Sequence, residues 1–312
     1  MKKDFLTLRD YDSDTLKKLV QLAIRMKKER FTFGRDILKN KTVALIFEKS
    51  STRTRVSFEV GVYDMGGYPL FLSKNDIQLG RGETIEDTAR TLSRYVDMIM
   101  IRTFEHSKVE KLAKYSSVPV INGLTDDFHP CQVMADIMTV YERFNNYNLK
   151  LAYVGDGNNM AHSLMIGCSK FGIDFSIATP KGYEPKSEVL SYAMDVARKN
   201  GKMIHLTNDP YEAVKGADII YTDVWTSMGQ EAENEIRLKA FQGYQVNMDL
   251  LRATGKKTYF MHCLPAHRGE EVSADVIESE FSIVFDEAEN RLHAQKAIMA
   301  YLIKNGEFGG LL

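Results

Sequence analysis

The sequence predicts an α/β protein built from two doubly wound parallel sheets. Apolar, strand-like runs alternate with helical patterns along almost the whole chain, and such alternation is typical of parallel sheets covered on both faces. The length of 312 residues and the hydrophobic content of 44% suffice for two domains with separate cores. The polar stretch "NNYN" at residues 145–148 indicates where the first domain ends.

The first half opens with an amphipathic helix predicted over residues 13–30, whose apolar residues recur at helical spacing. Helical patterns such as "ETIEDTARTLSRY" and "HSKVEKLAKY" then separate four predicted strands. These strands cover residues 42–47, 69–72, 98–102 and 118–121. A long helix over residues 131–144 is expected to close the first domain.

The second half begins with "KLAYVGDGNNMAHSLMIGCSKFG", which predicts a strand, a Gly-rich turn and a helix. Further strands are predicted in "DFSIATP", "KMIHLT", "DIIYTDVW", "TYFMHCLP" and "SIVFDEAE". Ligands of doubly wound sheets collect at the carboxyl ends of the strands, so the turns after these runs are candidate sites. The last helix, over residues 290–304, has one apolar stripe and could pack on either domain.

Composition argues against several classes of partner. The chain has 41 basic and 42 acidic residues, so no overall charge favours nucleic acid or an anionic membrane surface. We expect neither secretion nor membrane insertion, because no run of about twenty apolar residues occurs. The three cysteines, Cys131, Cys168 and Cys263, form no paired framework, and this favours a reducing, cytoplasmic location.

A first candidate site lies in "EKSSTRTRVSFEVG", residues 48–61, between a predicted strand and a predicted helix. The segment contains four hydroxyl residues, Ser50, Ser51, Thr52 and Thr54. Such residues favour a helix N-terminus, where unpaired N–H groups meet a partial positive charge. Arginines at such a terminus favour an anion, most naturally a phosphate. The simpler interpretation is a capped helix with exposed arginines.

A second cluster, "DFHPCQVMADIM", also follows a strand and a loop. Pro130 fits the first helical turn, which leaves His129 at the cap and Gln132 in the opening turn. A single histidine before a helix is more often structural than catalytic. Beside an anion site at the same sheet edge, His129 and Gln132 become functional candidates.

Two further turns follow strands of the second half. In "DVWTSMGQE", Asp223 and Ser227 follow the strand end, and an ordinary Asx turn is the simpler interpretation. In "MHCLPAHRGEEV", Cys263 ends another strand, with His262 and His267 nearby in sequence. These three residues lack the paired spacing and four ligands of a structural zinc site, so we expect no metal.

The Gly-rich turn "GDGNNMAHS" invites a dinucleotide interpretation, but Met160 stands at the final position of the G-x-G-x-x-G pattern. No acidic residue clearly ends the next strand. Asn159, at the start of the helix, is better placed to hold a polar small molecule. We expect no nicotinamide or other cofactor.

Four segments, "SSTRTR", "HPCQ", "DVWTSMGQE" and "HCLPAHRGEEV", occur in this order over nearly the whole chain. Together they resemble the ornithine carbamoyltransferases, within the aspartate/ornithine carbamoyltransferase family. The resemblance implies a carbamoyl phosphate domain at residues 1–144, joined by the returning C-terminal helix at 290–312. It implies an ornithine domain at residues 145–289 and homotrimers whose active sites are shared between subunits.

The resemblance also assigns roles to residues of this chain. His129 would donate to the carbonyl oxygen, and Arg102 would reach both that oxygen and the phosphate. Gln78 would cross to a neighbouring subunit. The carbamoyl phosphate positions are Ser51, Thr52, Arg53, Thr54, Gln78, Arg102, His129, Gln132, Cys263, Leu264 and Arg291. The ornithine positions are Asn159, Asp223, Ser227 and Met228.

The expected reaction is direct attack of the ornithine side-chain amine on the carbamoyl carbon, giving citrulline and phosphate without a metal. Asp223 and Cys263 are the candidates to accept the amine proton, and the sequence does not separate them. A covalent path through the Cys263 thiol is the less favoured alternative. Rival functions are a putrescine carbamoyltransferase, a nicotinamide-dependent oxidoreductase and a non-catalytic phosphate-binding subunit.

Overall fold

The computed structural model describes residues 2–79 and 82–312. The chain forms two compact units. Unit 1 comprises Met1–Met138 and Glu289–Leu312, and unit 2 comprises Thr139–Ala288. The C-terminal segment therefore returns to the first unit, as the resemblance implied.

Unit 1 contains a four-stranded parallel sheet in the order β2-β1-β3-β4. Its strands are β1 Thr42–Phe47, β2 Tyr68–Ser73, β3 Met98–Arg102 and β4 Val120–Leu124. The predicted bounds of β1 and β3 are confirmed, whereas β4 begins two residues later than predicted. The order reverses between β1 and β3, and the residues after these two strands therefore lie at the edge where ligands collect.

Helices cover this sheet and form its hydrophobic core with residues such as Ile46, Ile99 and Leu112. The helices wholly within unit 1 are α1 Ser13–Lys28, α2 Thr52–Asp64, α3 Ile85–Leu92 and α4 His106–Tyr115. Two helices cross the unit boundary along the chain, α5 Pro130–Phe144 and α12 Val284–Ile303.

Unit 2 contains a five-stranded parallel sheet in the order β7-β6-β5-β8-β9. The strands are β5 Lys150–Val154, β6 Asp174–Ala178, β7 Ile204–Thr207, β8 Ile219–Thr222 and β9 Tyr259–His262. The order reverses between β5 and β8. The Gly-rich turn after β5 and Asp223 after β8 therefore lie at the switch point of this sheet.

The helices of unit 2 are α6 Asn159–Phe171, α7 Ser187–Lys199, α8 Pro210–Val214, α9 Asn234–Ala240, α10 Met248–Arg252 and α11 Ala274–Ile277. The prediction of a strand in "SIVFDEAE" is wrong. Only Ser282 pairs, as an isolated bridge to Phe260, and α12 begins at Val284. Acidic Asp286 and Glu287 in the first turn suit a helix N-terminus and oppose continuation as a strand.

The two doubly wound parallel sheets confirm the predicted α/β fold class. None of the helices formed by residues 2–79 and 82–312 has both the length and the apolar content needed to span a lipid bilayer.

Candidate active site

The N-terminus of α2 forms the first part of the site in unit 1. Ser51 caps the helix, and its Oγ accepts a hydrogen bond from the Thr54 backbone N–H at 3.1 Å. Thr52 is exposed, Arg53 is half-buried and Thr54 is buried. The helix cap is therefore confirmed, whereas Arg53 is not exposed as the simpler interpretation expects. The first helical N–H groups lie at the carboxyl edge of the sheet.

Arg291, on α12, lies buried against this turn. Its Nη2 donates to Oγ1 of Thr54 at 3.1 Å and its Nη1 donates to Oε1 of Gln132 at 2.7 Å. Gln132 donates in turn to Oδ1 of Asp136 at 2.8 Å. Three sequence segments that were predicted to serve one ligand thus meet in one hydrogen-bonded cluster.

His129, which directly precedes the first residue of α5, joins the same cluster electrostatically. Burial lowers the pKa of His129 well below its usual 6.5, and the charges of Arg291, Arg102 and Arg53 lower it further. The imidazole is therefore neutral near pH 7. A neutral imidazole can donate one hydrogen bond to a carbonyl oxygen. Unlike an imidazolium cation, it is not repelled by the neighbouring arginines.

The remaining residue predicted in unit 1 lies outside this cluster. Gln78 is exposed on the segment that follows β2, next to Leu79. Its proposed role in a neighbouring subunit stays a prediction.

Asp223, after β8, is the centre of the polar cluster in unit 2. Its Oδ1 accepts from the Cys263 thiol at 3.1 Å and from the Val224 backbone N–H at 2.8 Å. Its Oδ2 accepts from Nδ2 of Asn158 at 2.8 Å. Asp223 is buried, so a cationic ammonium group is the natural complement to this carboxylate.

Sequence reasoning missed Asn158. Its Oδ1 caps α6 by accepting from the N–H groups of Met160 and Ala161, while its amide nitrogen binds Asp223. Asn159, the residue that was predicted, is half-buried at the first position of the helix. In the sequence, the pair of asparagines at 158 and 159 before a helix indicates a cap without showing which of the two provides it.

Ser227 and Met228 lie on the loop that follows β8. Ser227 is half-buried and its N–H donates to Oε1 of Gln230 at 3.0 Å, whereas Met228 is 48% exposed. Buried Arg237 holds the base of this loop, because its Nη1 donates at 3.0 Å both to the Trp225 carbonyl and to Asp156.

Asp156, in the turn after β5, has a raised pKa. Burial raises its pKa to about 6, although the charge and hydrogen bond of Arg237 oppose this rise. The ion pair that holds the loop base therefore weakens in mildly acidic solution, as the carboxylate takes up a proton.

Cys263 and Leu264 lie in the turn after β9. Leu264 has a φ of 56°, in the left-handed region, and its N–H donates to Nδ1 of His262 at 2.8 Å. Nε2 of His262 lies 3.1 Å from Oε1 of buried Glu271. Both ring nitrogens of His262 are thus engaged, which opposes its use as a metal ligand with Asp223 and Cys263 despite their proximity.

Gly157 explains why the turn after β5 is rich in glycine. A Cβ at this position would lie 2.4 Å from the carbonyl carbon of Glu184 and the nitrogen of Pro185. The second glycine of a dinucleotide fingerprint admits a pyrophosphate. Here the chain's own segment takes that close approach, which removes the main support for a dinucleotide site.

Comparisons with known proteins agree with this geometry. Residues 3–142 match the family described as aspartate/ornithine carbamoyltransferase, carbamoyl-P binding domain. Residues 147–302 match the family described as aspartate/ornithine carbamoyltransferase, Asp/Orn binding domain.

Relatives of known name cover nearly the full chain. The ornithine carbamoyltransferase of Caldicellulosiruptor saccharolyticus is 56% identical over 96% of this chain and 98% of its own. That of Bacillus subtilis is 55% identical over 98% and 95%. The solved ornithine carbamoyltransferase of Pyrococcus furiosus is 54% identical, with a TM-score of 0.92 over 96% of each chain. The chain therefore belongs to the aspartate/ornithine carbamoyltransferase family.

Proposed function

We propose that this protein transfers the carbamoyl group of carbamoyl phosphate to the side-chain amine of L-ornithine, giving L-citrulline and phosphate. The amine attacks the carbamoyl carbon directly, and a tetrahedral intermediate expels phosphate. Unit 1 binds carbamoyl phosphate and unit 2 binds ornithine. The names of the relatives and the descriptions of the two matching domains support this assignment.

The observation that carries the proposal is the cluster of cationic and polar groups in unit 1. The charges of Arg53, Arg102 and Arg291 all act on His129, and Arg291 binds Thr54 at the N-terminus of α2. A dianionic phosphate matches this concentration of guanidinium groups. Such a site stabilises an anion through charge-assisted hydrogen bonds of about 1.5–3 kcal/mol each, more than the ~0.3–1 kcal/mol from a helix dipole.

Neutral His129 serves the carbonyl oxygen of the carbamoyl group. Negative charge develops on this oxygen in the tetrahedral intermediate, and donors held ready for it lower the barrier. Thr54 and Arg102 act with His129 as these donors. Removing one donor of this kind costs about 3 kcal/mol of transition-state stabilisation.

The polar cluster of unit 2 binds the amino acid. Asp223 holds the α-ammonium group, with Asn158 and Cys263 fixing the carboxylate through their hydrogen bonds. Asn159, Ser227 and Met228 complete the pocket for the head group. Cys263 lies near the reacting amine, so that its thiol and Asp223 together offer a path for the amine proton.

The active enzyme is a homotrimer in which Gln78 contacts the carbamoyl phosphate of a neighbouring subunit. The exposure of Gln78 on the segment after β2 supports this role, because such a side chain is accessible to another chain. Sedimentation equilibrium tests the assembly. Mixing Gln78→Ala subunits with Arg53→Ala subunits tests the sharing, because only shared sites regain activity.

A colorimetric citrulline assay with purified protein, carbamoyl phosphate and ornithine tests the proposal. We expect citrulline and phosphate in equal amounts, and no citrulline without carbamoyl phosphate. Putrescine in place of ornithine should turn over far more slowly, since it keeps an amine for Asp223 but lacks the α-carboxylate of the amino acid head group that the Ser227 turn binds. If putrescine turned over faster than ornithine, putrescine would be the acceptor. If the protein consumed no carbamoyl phosphate, the proposed transfer reaction would be rejected.

A further inference from the structure

A buried amide links two parts of the anion site in unit 1. Gln295 lies one turn after Arg291 on α12, and its Oε1 accepts from Nε of Arg291 at 2.9 Å. Its Nε2 donates to Oγ of Ser57 at 2.8 Å. Ser57 in turn donates to the carbonyl of Arg53 at 2.6 Å. One fully buried side chain thus connects the Arg291 guanidinium with the first turn of α2.

The chemistry of the oxygens around Arg291 is informative. Its Nε, Nη1 and Nη2 donate to Gln295, Gln132 and Thr54. All three acceptors are neutral oxygens of amides or a hydroxyl. Neutral acceptors fix the plane of a guanidinium without cancelling its charge, whereas a carboxylate would bind it more strongly and compete with an incoming anion.

We propose that Gln295 is a positioning residue of the anion site, which orients Arg291 through a neutral amide that adds no negative charge beside the guanidinium. Through Ser57, the same residue aligns the Arg53 segment with Arg291. This inference rests on the proposed function only for the identity of the anion as carbamoyl phosphate. It assigns a task to a side chain that no motif in the sequence singled out.

The isosteric variant Gln295→Glu separates this role from a merely structural one. A carboxylate at this position forms an ion pair with Arg291, so the fold should keep or gain thermal stability. The same ion pair should lower the affinity for carbamoyl phosphate about 10- to 100-fold. A purely structural residue would give the opposite pattern, with affinity following stability.

A second variant, Gln295→Met, keeps the volume but removes both hydrogen bonds. We expect a lower melting temperature and a loss of affinity about 3- to 10-fold, smaller than that of Gln295→Glu because the charge of Arg291 remains. The two variants should therefore rank in opposite orders for stability and for affinity. If Gln295→Glu gives little folded protein, folded Gln295→Met decides the test, and an affinity within about twofold of the wild type overturns the inference.

The measurement is isothermal titration with carbamoyl phosphate and, separately, with inorganic phosphate, beside thermal unfolding of each variant. Gln21→Glu is the matched control, because Gln21 is exposed on α1 of the same unit and gains the same charge. Its affinity should equal that of the wild type. The KM for ornithine should change less than twofold in the position-295 variants.

The possible failures are distinguishable. Folded Gln295→Glu that binds carbamoyl phosphate within about twofold of the wild type would overturn the inference and leave the proposed function intact. Losses of affinity that follow the losses of stability in both variants would also overturn it. Wild-type protein that binds inorganic phosphate but neither binds nor consumes carbamoyl phosphate would instead reject the proposed function.

Discussion

Arg291 donates to the hydroxyl of Thr54 across 3.1 Å, although 237 positions separate the two residues in the chain. The contact brings the C-terminal segment of unit 1 onto the N-terminus of α2. A helix dipole alone is a weak attractor of anions, and a guanidinium fixed beside it adds most of the affinity. The returning C-terminal segment thus contributes Arg291 to the candidate anion site.

Comparison of Arg53→Ala with Ser51→Ala should separate two contributions of the α2 turn, the charge that binds the anion and the cap that stabilises the helix. Arg53→Ala should weaken carbamoyl phosphate binding by about 1.5–3 kcal/mol, because it removes a charge-assisted hydrogen bond. Ser51→Ala removes the cap that receives the Thr54 N–H, so it should lower the free energy of unfolding by about 1 kcal/mol with a smaller effect on affinity. Calorimetric titration and urea unfolding of both variants measure the two effects, and equal modest losses of affinity would contradict the ranking.

The sequence predicted best those strands that form a short, continuous apolar run. The runs at residues 42–47 and 98–102 became β1 and β3 with unchanged bounds, because a buried parallel strand is a short apolar block. The "SIVFDEAE" segment has a run of only three consecutive apolar residues, too few to distinguish a strand from the start of α12. The four- and five-residue helices α8, α10 and α11 are too short to carry a helical period.

The site shows the same division. A cap could be predicted because the hydroxyl run and the helix are adjacent in sequence, and the structure shows that Ser51 is the capping residue. The contacts of Arg291 join distant segments, and only the family resemblance placed that residue in the site. Asn158 and Asn159 are chemically identical neighbours, so only the backbone conformation reveals which of them caps α6 and reaches Asp223.

Asn158→Asp should impair ornithine binding without unfolding α6. Aspartate caps a helix as well as asparagine does, but it replaces the donor to Asp223 with a second negative charge. We expect the KM for ornithine to rise about tenfold or more, which corresponds to the loss of ~1.5 kcal/mol from a charge-assisted hydrogen bond. Affinity for carbamoyl phosphate should be unchanged.

Asn247→Asp is the control for this variant. Asn247 caps α10 in the same unit, with Oδ1 accepting from the Leu250 N–H at 3.0 Å. Like Asn158, Asn247 caps a helix, but it makes no hydrogen bond to Asp223. An equal rise of the ornithine KM in both variants would show that added charge in unit 2, and not the bond to Asp223, causes the effect.

His129 should make stability depend on pH in acid. Its pKa lies well below 6.5 in the folded protein, while the unfolded chain protonates a histidine near 6.5. Below that pH the unfolded state binds a proton that the folded state does not, so stability falls as pH falls, by up to ~1.4 kcal/mol per pH unit. His129→Gln should lose less stability between pH 7 and pH 5 than the wild type.

Urea unfolding at both pH values measures this difference. Other titrating groups are shared by the two proteins, so the difference isolates His129. His293→Gln should act in the same direction, because burial and neighbouring lysines lower the pKa of His293 to about 3. An identical pH dependence in wild type and His129→Gln would mean that folding does not lower the pKa of His129.

The rate of transfer at saturating substrates should rise from pH 6 to pH 9. An amine of the lysine type has a reference pKa near 10.4, so its neutral, nucleophilic form costs roughly 4–5 kcal/mol at pH 7. His129 does not explain a rise that continues toward pH 9, because its pKa is lowered well below 6.5. The citrulline assay over this range checks the rise, and a flat profile would argue against a limiting deprotonation of the amine.

Cys263 distinguishes direct transfer from a covalent path. Its thiol donates to Asp223, and Cys131 and Cys168 are buried, so it is the most accessible of the three thiols. Cys263→Ser keeps a donor to Asp223 but lacks a thiolate, and under direct transfer it should retain a substantial part of the rate. Cys263→Ala removes the donor, so it should lose more activity than Cys263→Ser, mainly through a higher KM for ornithine.

A carbamoyl-thiol intermediate requires instead that both variants be almost inactive and that wild type release phosphate in a burst before citrulline. Single-turnover measurements of phosphate and citrulline in the three proteins separate the two mechanisms, since direct attack forms both products together.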